Sequence, residues 1–157
     1  MKKTIALLAA AVLLLLCAAC GSSTTSGEAA TVASGEVIQI SEKLFLAQVN
    51  DIWLNQQDYI GKTLEYEGMF TIFHSDSTGK DYASVYRSSP GCCGADGQCG
   101  FEVAWPAGQE KPWPAENDWV AVKGTLGNYE EEGFQYLQVI LDSMEVKAER
   151  GLEFVSA

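Results

Sequence analysis

Cysteines, a lone histidine and one arginine are the residues of this chain whose types and spacing could do chemistry. Cys92, Cys93 and Cys99 lie in the glycine-rich stretch Pro90–Gly100, and His74 is the only histidine. Thiolates and imidazole are soft-metal ligands, so these four residues could make a Cys3His set of tetrahedral, zinc-type geometry. Neighbouring thiolates reach one ion only where the backbone is permissive, which Gly91, Gly94, Gly97 and Gly100 allow. Asp96 is the substitute ligand if His74 points away. The structural alternative is a disulfide from Cys99 to Cys92 or Cys93 that staples the loop, because adjacent cysteines rarely bond to each other. It leaves an odd thiol. A third reading, thiol redox chemistry, lacks a C-x-x-C pair and a neighbour that would lower a thiol pKa. Four residues separate Arg87 from Cys92-Cys93. It could pair with one of many carboxylates, or hold the loop through its carbonyls or Asp96, and a loop rich in unpaired acceptors favours the second role.

Catalysis finds little support in the same residues. With one histidine and no recognisable serine or cysteine elbow around it, no nucleophile has an evident base. Carboxylates are abundant but uninformative in so acidic a chain.

The start of the chain names a compartment. MKKTIALLAAAVLLLLCAAC has a basic beginning at Lys2-Lys3, an apolar run from Ile5 to Leu16, then small residues before Cys20. The run is too short for a permanent span of ~20 residues and has the proportions of a secretory leader. Ala18-Ala19 before Cys20 resembles a bacterial lipobox, with residues 1–19 as signal peptide and Cys20 as the lipidated N-terminus. Leu16 is too large for Cys17 to take that role. Cleavage leaves eight Lys and Arg against 21 Asp and Glu, a charge of −13. Such a surface repels phosphate backbones and anionic lipid heads, which argues against a nucleic-acid partner. Residues 20–36, Ser-, Thr-, Gly- and Ala-rich, read as a flexible tether.

The elements that must position the cysteine loop follow from periodicity. Val37, Ile38 and Ile40 suggest a short first strand. Phe45, Val49, Ile52 and Trp53 recur at helical spacing, with Ser41 as N-cap and Gly61 closing the segment. Leu64, Tyr66, Phe70 and Ile72 then alternate, with Gly68 as an expected bulge in a bent strand. After a loop from His74 to Lys80, strands are expected at Tyr82–Arg87, Phe101–Trp105, Asp118–Leu126 and Phe134–Val146, with Glu130–Glu132 in a solvated turn. The tail, residues 149–157, is expected to fray. About six strands and one N-terminal helix over residues 37–148 predict a mainly β fold, a small antiparallel OB-like barrel, with a β-sandwich as runner-up.

The segment Arg87-Ser-Ser-Pro-Gly-Cys92-Cys93-Gly-Ala95-Asp96 resembles the R-x4-C-C-x-A-D motif in the C-terminal domain of the two-component permease subunits, membrane proteins encoded beside permeases. Tyr59-Ile-Gly61-Lys62, the strand Thr63–Gly68 and Trp119-Val-Ala-Val-Lys-Gly124 match that family's flanking features, so the resemblance runs from Phe45 to Val146. Three departures stand out. A lipid anchor replaces the family's membrane spans, Cys99 is extra, and the gap from Asp96 to Gly100 is one residue shorter. The family has no established activity, so the resemblance implies fold and topology more than chemistry. The expectation is therefore an extracytoplasmic lipoprotein, held on the membrane by Cys20, acting as a non-catalytic binding domain with a permease or other membrane protein as partner. The alternatives are a zinc-type metal-binding lipoprotein and a thiol redox protein.

Overall fold

The computed structural model describes residues 36–91 and 94–156, with the backbone alone for residues 94–96. The leader, Cys20 and the tether, and with them Cys92 and Cys93, lie outside the described residues. The elements in chain order are β1 (Val37–Gln39), a 3-10 turn (Glu42–Leu44), α1 (Phe45–Leu54), α2 (Gln56–Tyr59), β2 (Thr63–Ser75), β3 (Lys80–Gly91), β4 (Gly94–Ala104), β5 (Trp119–Glu131) and β6 (Phe134–Val146).

Strand order is β1-β2-β3-β4-β6-β5, and β2 pairs again with β5, so five strands close into a barrel with β1 added outside. The OB-like expectation holds. The purely antiparallel one does not, because β4 runs parallel to β6 and β1 parallel to β2. Parallel pairing of β4 with β6 follows from connectivity: β5 returns to pair with β2, so β6 must close the gap in β4's own direction.

Closure depends on one strand serving two neighbours. β2 pairs with β5 from Thr63 to Met69 and with β3 from Met69 to Ser75. Gly68 sits at this exchange, where a Cβ would lie 2.7 Å from the carbonyl oxygen of Tyr86. It is a close crossing and not the expected bulge, since its register with Val120 is regular. Register shifts come instead at Lys123/Gly124 of β5, which face β6 across the extra residue Asp142, and at Ser89/Gly91 of β3 against β4.

Alternate residues line the core: Leu64, Tyr66 and Phe70 of β2, Val85 of β3, Phe101 and Val103 of β4, Val120, Val122 and Leu126 of β5, and Leu137, Val139 and Leu141 of β6. The buried face of α1, Phe45, Val49 and Ile52, completes it. Ser41 precedes the 3-10 turn without a side-chain cap; its own amide donates to Gln48 Oε1 at 2.8 Å. Helical spacing was legible there, but the helix breaks at Asn55 into two segments.

Two expected loops are strand. β2 and β3 extend through His74 and Lys80, leaving only residues 76–79 as the turn. The described residues of the glycine-rich stretch are in the sheet too: Arg87 pairs with Cys99, Ser89 with Gly97 and, after a register shift, Gly91 with Gly94. Pro90 and four glycines argue against strand by propensity, but the antiparallel partner supplies the missing regularity. The expected frayed tail is docked. Ser88 N donates to Glu153 O and Val155 N to Ser88 O, both at 2.8 Å, and Val155 is buried.

Candidate functional site

The structure places His74 and Cys99, two of the sequence-derived ligands, apart; Cys92, Cys93 and the Asp96 side chain lie outside the described residues. His74 lies on β2 opposite Asp81 of β3, whereas Cys99 lies on β4 opposite Arg87 of β3. Six strand steps separate Asp81 from Arg87, roughly 20 Å at ~3.3 Å each. His74 Nδ1 meets Asp81 Oδ1 at 2.7 Å on the surface. The Cys3His set is therefore not assembled around Cys99 and His74. Among the described residues, no three His, Cys, Asp or Glu side chains gather as a metal would require.

Cys99 is a free thiol packed in the core. Cys92 and Cys93, the partners that the disulfide reading needs, lie outside the described residues. Burial also pushes its thiol pKa up to about 11, away from the lowered value that redox chemistry needs.

Arg87 is a buried hub of the barrel, and the loop it was expected to hold is not among its described partners. Its side chain is 3% exposed. Nε donates to Glu67 O at 2.8 Å, and Nη1 donates to Leu152 O at 3.0 Å and to Glu42 Oε1 at 3.3 Å. The guanidinium lies between two rings, 4.6 Å from the Phe45 centroid and 4.8 Å from that of Trp119. It sits one residue beyond Tyr86, where β2 leaves β3 for β5. The opening of that fork exposes backbone acceptors, and the arginine fork satisfies them while the tail covers the rest. Desolvation holds the Arg87 pKa down, and Glu42 opposes that. The Glu42 carboxyl is held below its usual range, chiefly by the Leu152 amide.

A different feature makes a surface cleft. β2–β3 and β5–β6 end in two hairpin arms, the second closed by Glu132 and Gly133 at φ 51° and 84°, the paired positive values of a type I′ turn. The arms touch where Glu131 accepts from Lys80 Nζ and from the Tyr82 hydroxyl. Between them Phe73, Tyr82, Tyr129 and Tyr136 enclose a cavity of about 120 Å³, with Glu102, Glu131 and Glu132 in its lining. The Tyr129 and Tyr136 rings stack at 5.4 Å, and the Tyr129 hydroxyl donates to Glu102 Oε2 at 2.7 Å. Burial first, and then the nearby Glu131, raises the Glu102 pKa, while the Tyr129 hydrogen bond pulls it down. A second cavity of about 330 Å³ shares Tyr82 and has Ile72, Val103, Trp105 and Trp113 among its walls.

Sequence reasoning missed this cleft, treating Glu130–Glu132 as a solvated turn. Alternation of Tyr129, Glu131 and Tyr136 with polar residues was the available signal, but nothing local says that two arms meet.

The DUF1980 C-terminal domain matches residues 20–150 of the chain. The chain belongs to that family. Membership agrees with the resemblance to permease-associated proteins and spans the whole barrel of this DUF1980 domain. No curated protein matches the chain. In OB-type barrels the second and third strands, with the turns after the first and fourth, carry ligands. Those parts of this DUF1980 barrel are β3, β4 and the two arm turns, so the cleft falls on the face that the architecture offers.

Proposed function

We propose that this DUF1980 domain is a membrane-tethered, extracytoplasmic lipoprotein whose barrel is a non-catalytic binding module accessory to a transporter. The observation that carries the reading is the cleft between the two hairpin arms, the aromatic and acidic concavity on the ligand face of the barrel. Its groups suit recognition better than turnover. His74 is exposed beside Asp81, and no hydroxyl or thiol hydrogen-bonds its ring among the described residues. The lipobox before Cys20 supports the tether, and kinship with permease-associated proteins supports a transport partner.

Anchoring and partnership are tested together. Globomycin, which blocks lipoprotein signal peptidase, makes an unprocessed precursor accumulate, and Cys20→Ser stops maturation at that residue. A Cys20→Ser chain cleaved and membrane-bound as before would refute the anchor. The full lipoprotein, purified from detergent-solubilised membranes, carries a polytopic transport protein in stoichiometric amount. Purification of the chain alone, without such a subunit, would remove the transporter role.

A further inference from the structure

The cleft between the arms has a wall chemistry that selects its occupant. Four aromatic rings and three carboxylates line it. Phe73 is 63% exposed at its edge, and Ile72 and Phe134 on the same arms are also exposed. Ring faces present negative potential, and carboxylates present negative charge, so a cation answers both.

Glu102 makes the requirement specific. Its carboxylate is drawn partly out of water beneath the tyrosines, and its described partner is the Tyr129 hydroxyl. Among the described residues no Lys or Arg pairs with it, and Lys80, the cation of these arms, is taken by Glu131. Burial disfavours the charge on this carboxylate, and a positive group arriving from outside favours it. The same face adds a different demand. Phe73 at the edge of the cleft and Phe134, two residues from Tyr136 on β6, are exposed and call for an apolar group beside the cation. A small amine would leave that apolar part unfilled, and an anionic polymer would be repelled by the whole molecule. A peptide carrying apolar and basic side chains fits both.

We propose that the cleft binds a basic, partly apolar peptide segment of a protein partner, with a Lys or Arg side chain seated among Glu102, Glu131 and the aromatic rings and an apolar side chain against Phe73 and Phe134. This rests on the binding-module reading and names the partner's chemistry.

The test is titration of the full lipoprotein in neutral detergent with a labelled peptide of alternating leucine and lysine. A leucine–glutamate peptide, spermidine and calcium serve as competitors. The leucine–lysine peptide binds saturably and more weakly as salt rises. Glu102→Gln and Tyr136→Ala each weaken it about tenfold, the scale of one desolvated charge or ring contact. Glu149→Gln, in the exposed tail, leaves it unchanged, and melting curves confirm that each variant is folded. Binding insensitive to Glu102→Gln and Tyr136→Ala, or absent up to ~1 mM, overturns the inference. So does spermidine or calcium displacing the peptide at equal affinity, which would mark a small-cation site. If the peptide fails while the lipoprotein still carries its transport subunit, the cation inference falls and the binding module stands. If both fail, the functional reading falls with it.

Discussion

At the scale of single residues, Arg87 shows how little charge alone explains. Its ionic partner Glu42 is 45% exposed, so solvent screens that pair. What the guanidinium supplies is a planar fork reaching two carbonyls and a flat face between Phe45 and Trp119. Arg87→Met keeps most of the packing but strands the two acceptors, and should cost about 2–4 kcal/mol in urea unfolding. Arg87→Lys should be nearly as damaging, because an ammonium can neither span the acceptors nor stack. A lysine variant as stable as the parent would show that charge suffices. Glu102 makes the opposite case. Its folded pKa is raised, so between its unfolded and folded values the folded chain binds more protons, and stability is lost as pH rises through the folded pKa. Glu102→Gln should therefore raise the melting temperature at neutral pH, with the gain vanishing below about pH 4. An unchanged melting curve at neutral pH would mean the carboxylate is well solvated.

At the scale of elements, the barrel closes because β2 changes partners at Met69 and the chain narrows to glycine beside it. Gly68→Ala would drive a methyl group into the Tyr86 backbone, and neither β2 nor β3 can yield without disturbing the Arg87 fork. Destabilisation of about 1–3 kcal/mol is expected, read by thermal melting. Gly79→Ala is the comparison at the turn: its Cβ meets nothing, and its penalty comes only from φ 65°. Equal costs at both positions would indicate that backbone conformation, and not the crossing, governs Gly68. The period-two pattern of β2 was readable from Leu64 to Ile72. Its exchange of partners was not, since alternation reports a buried face and is silent on which strand lies alongside.

For the molecule as a whole, the C-terminal tail is part of the fold. Gly151 lies against Trp119, the Leu152 amide donates to Glu42 Oε1 at 2.6 Å, and Glu153 and Val155 pair with Ser88 of β3. Ending the chain at Arg150 should lower the melting temperature, red-shift tryptophan emission as Trp119 meets water, and free the β3 edge for self-association visible by size exclusion. A truncated chain that melts and elutes like the parent would mean the tail contributes nothing. The tail reads as frayed because it is short, polar and without period. Its order comes from the amide and carbonyl of Ser88 that the β2–β3 fork leaves open, and from Arg87 and Glu42, all far away in sequence.

By itself the sequence determined the acidic charge and most of the barrel's alternating core, since these depend on residue type and short-range spacing. It also singled out Arg87 and Cys99 as residues worth explaining. Only the tertiary structure decided where they lie. Strand register set Cys99 apart from His74, and the partner exchange of β2 turned Arg87 inward to the tail. The meeting of two hairpin arms brought Glu102, some thirty residues from Tyr129 and Tyr136 in the chain, beneath their rings. Ligand spacing along a chain is a local quantity, whereas sites on a closed barrel are made where distant strands are forced side by side.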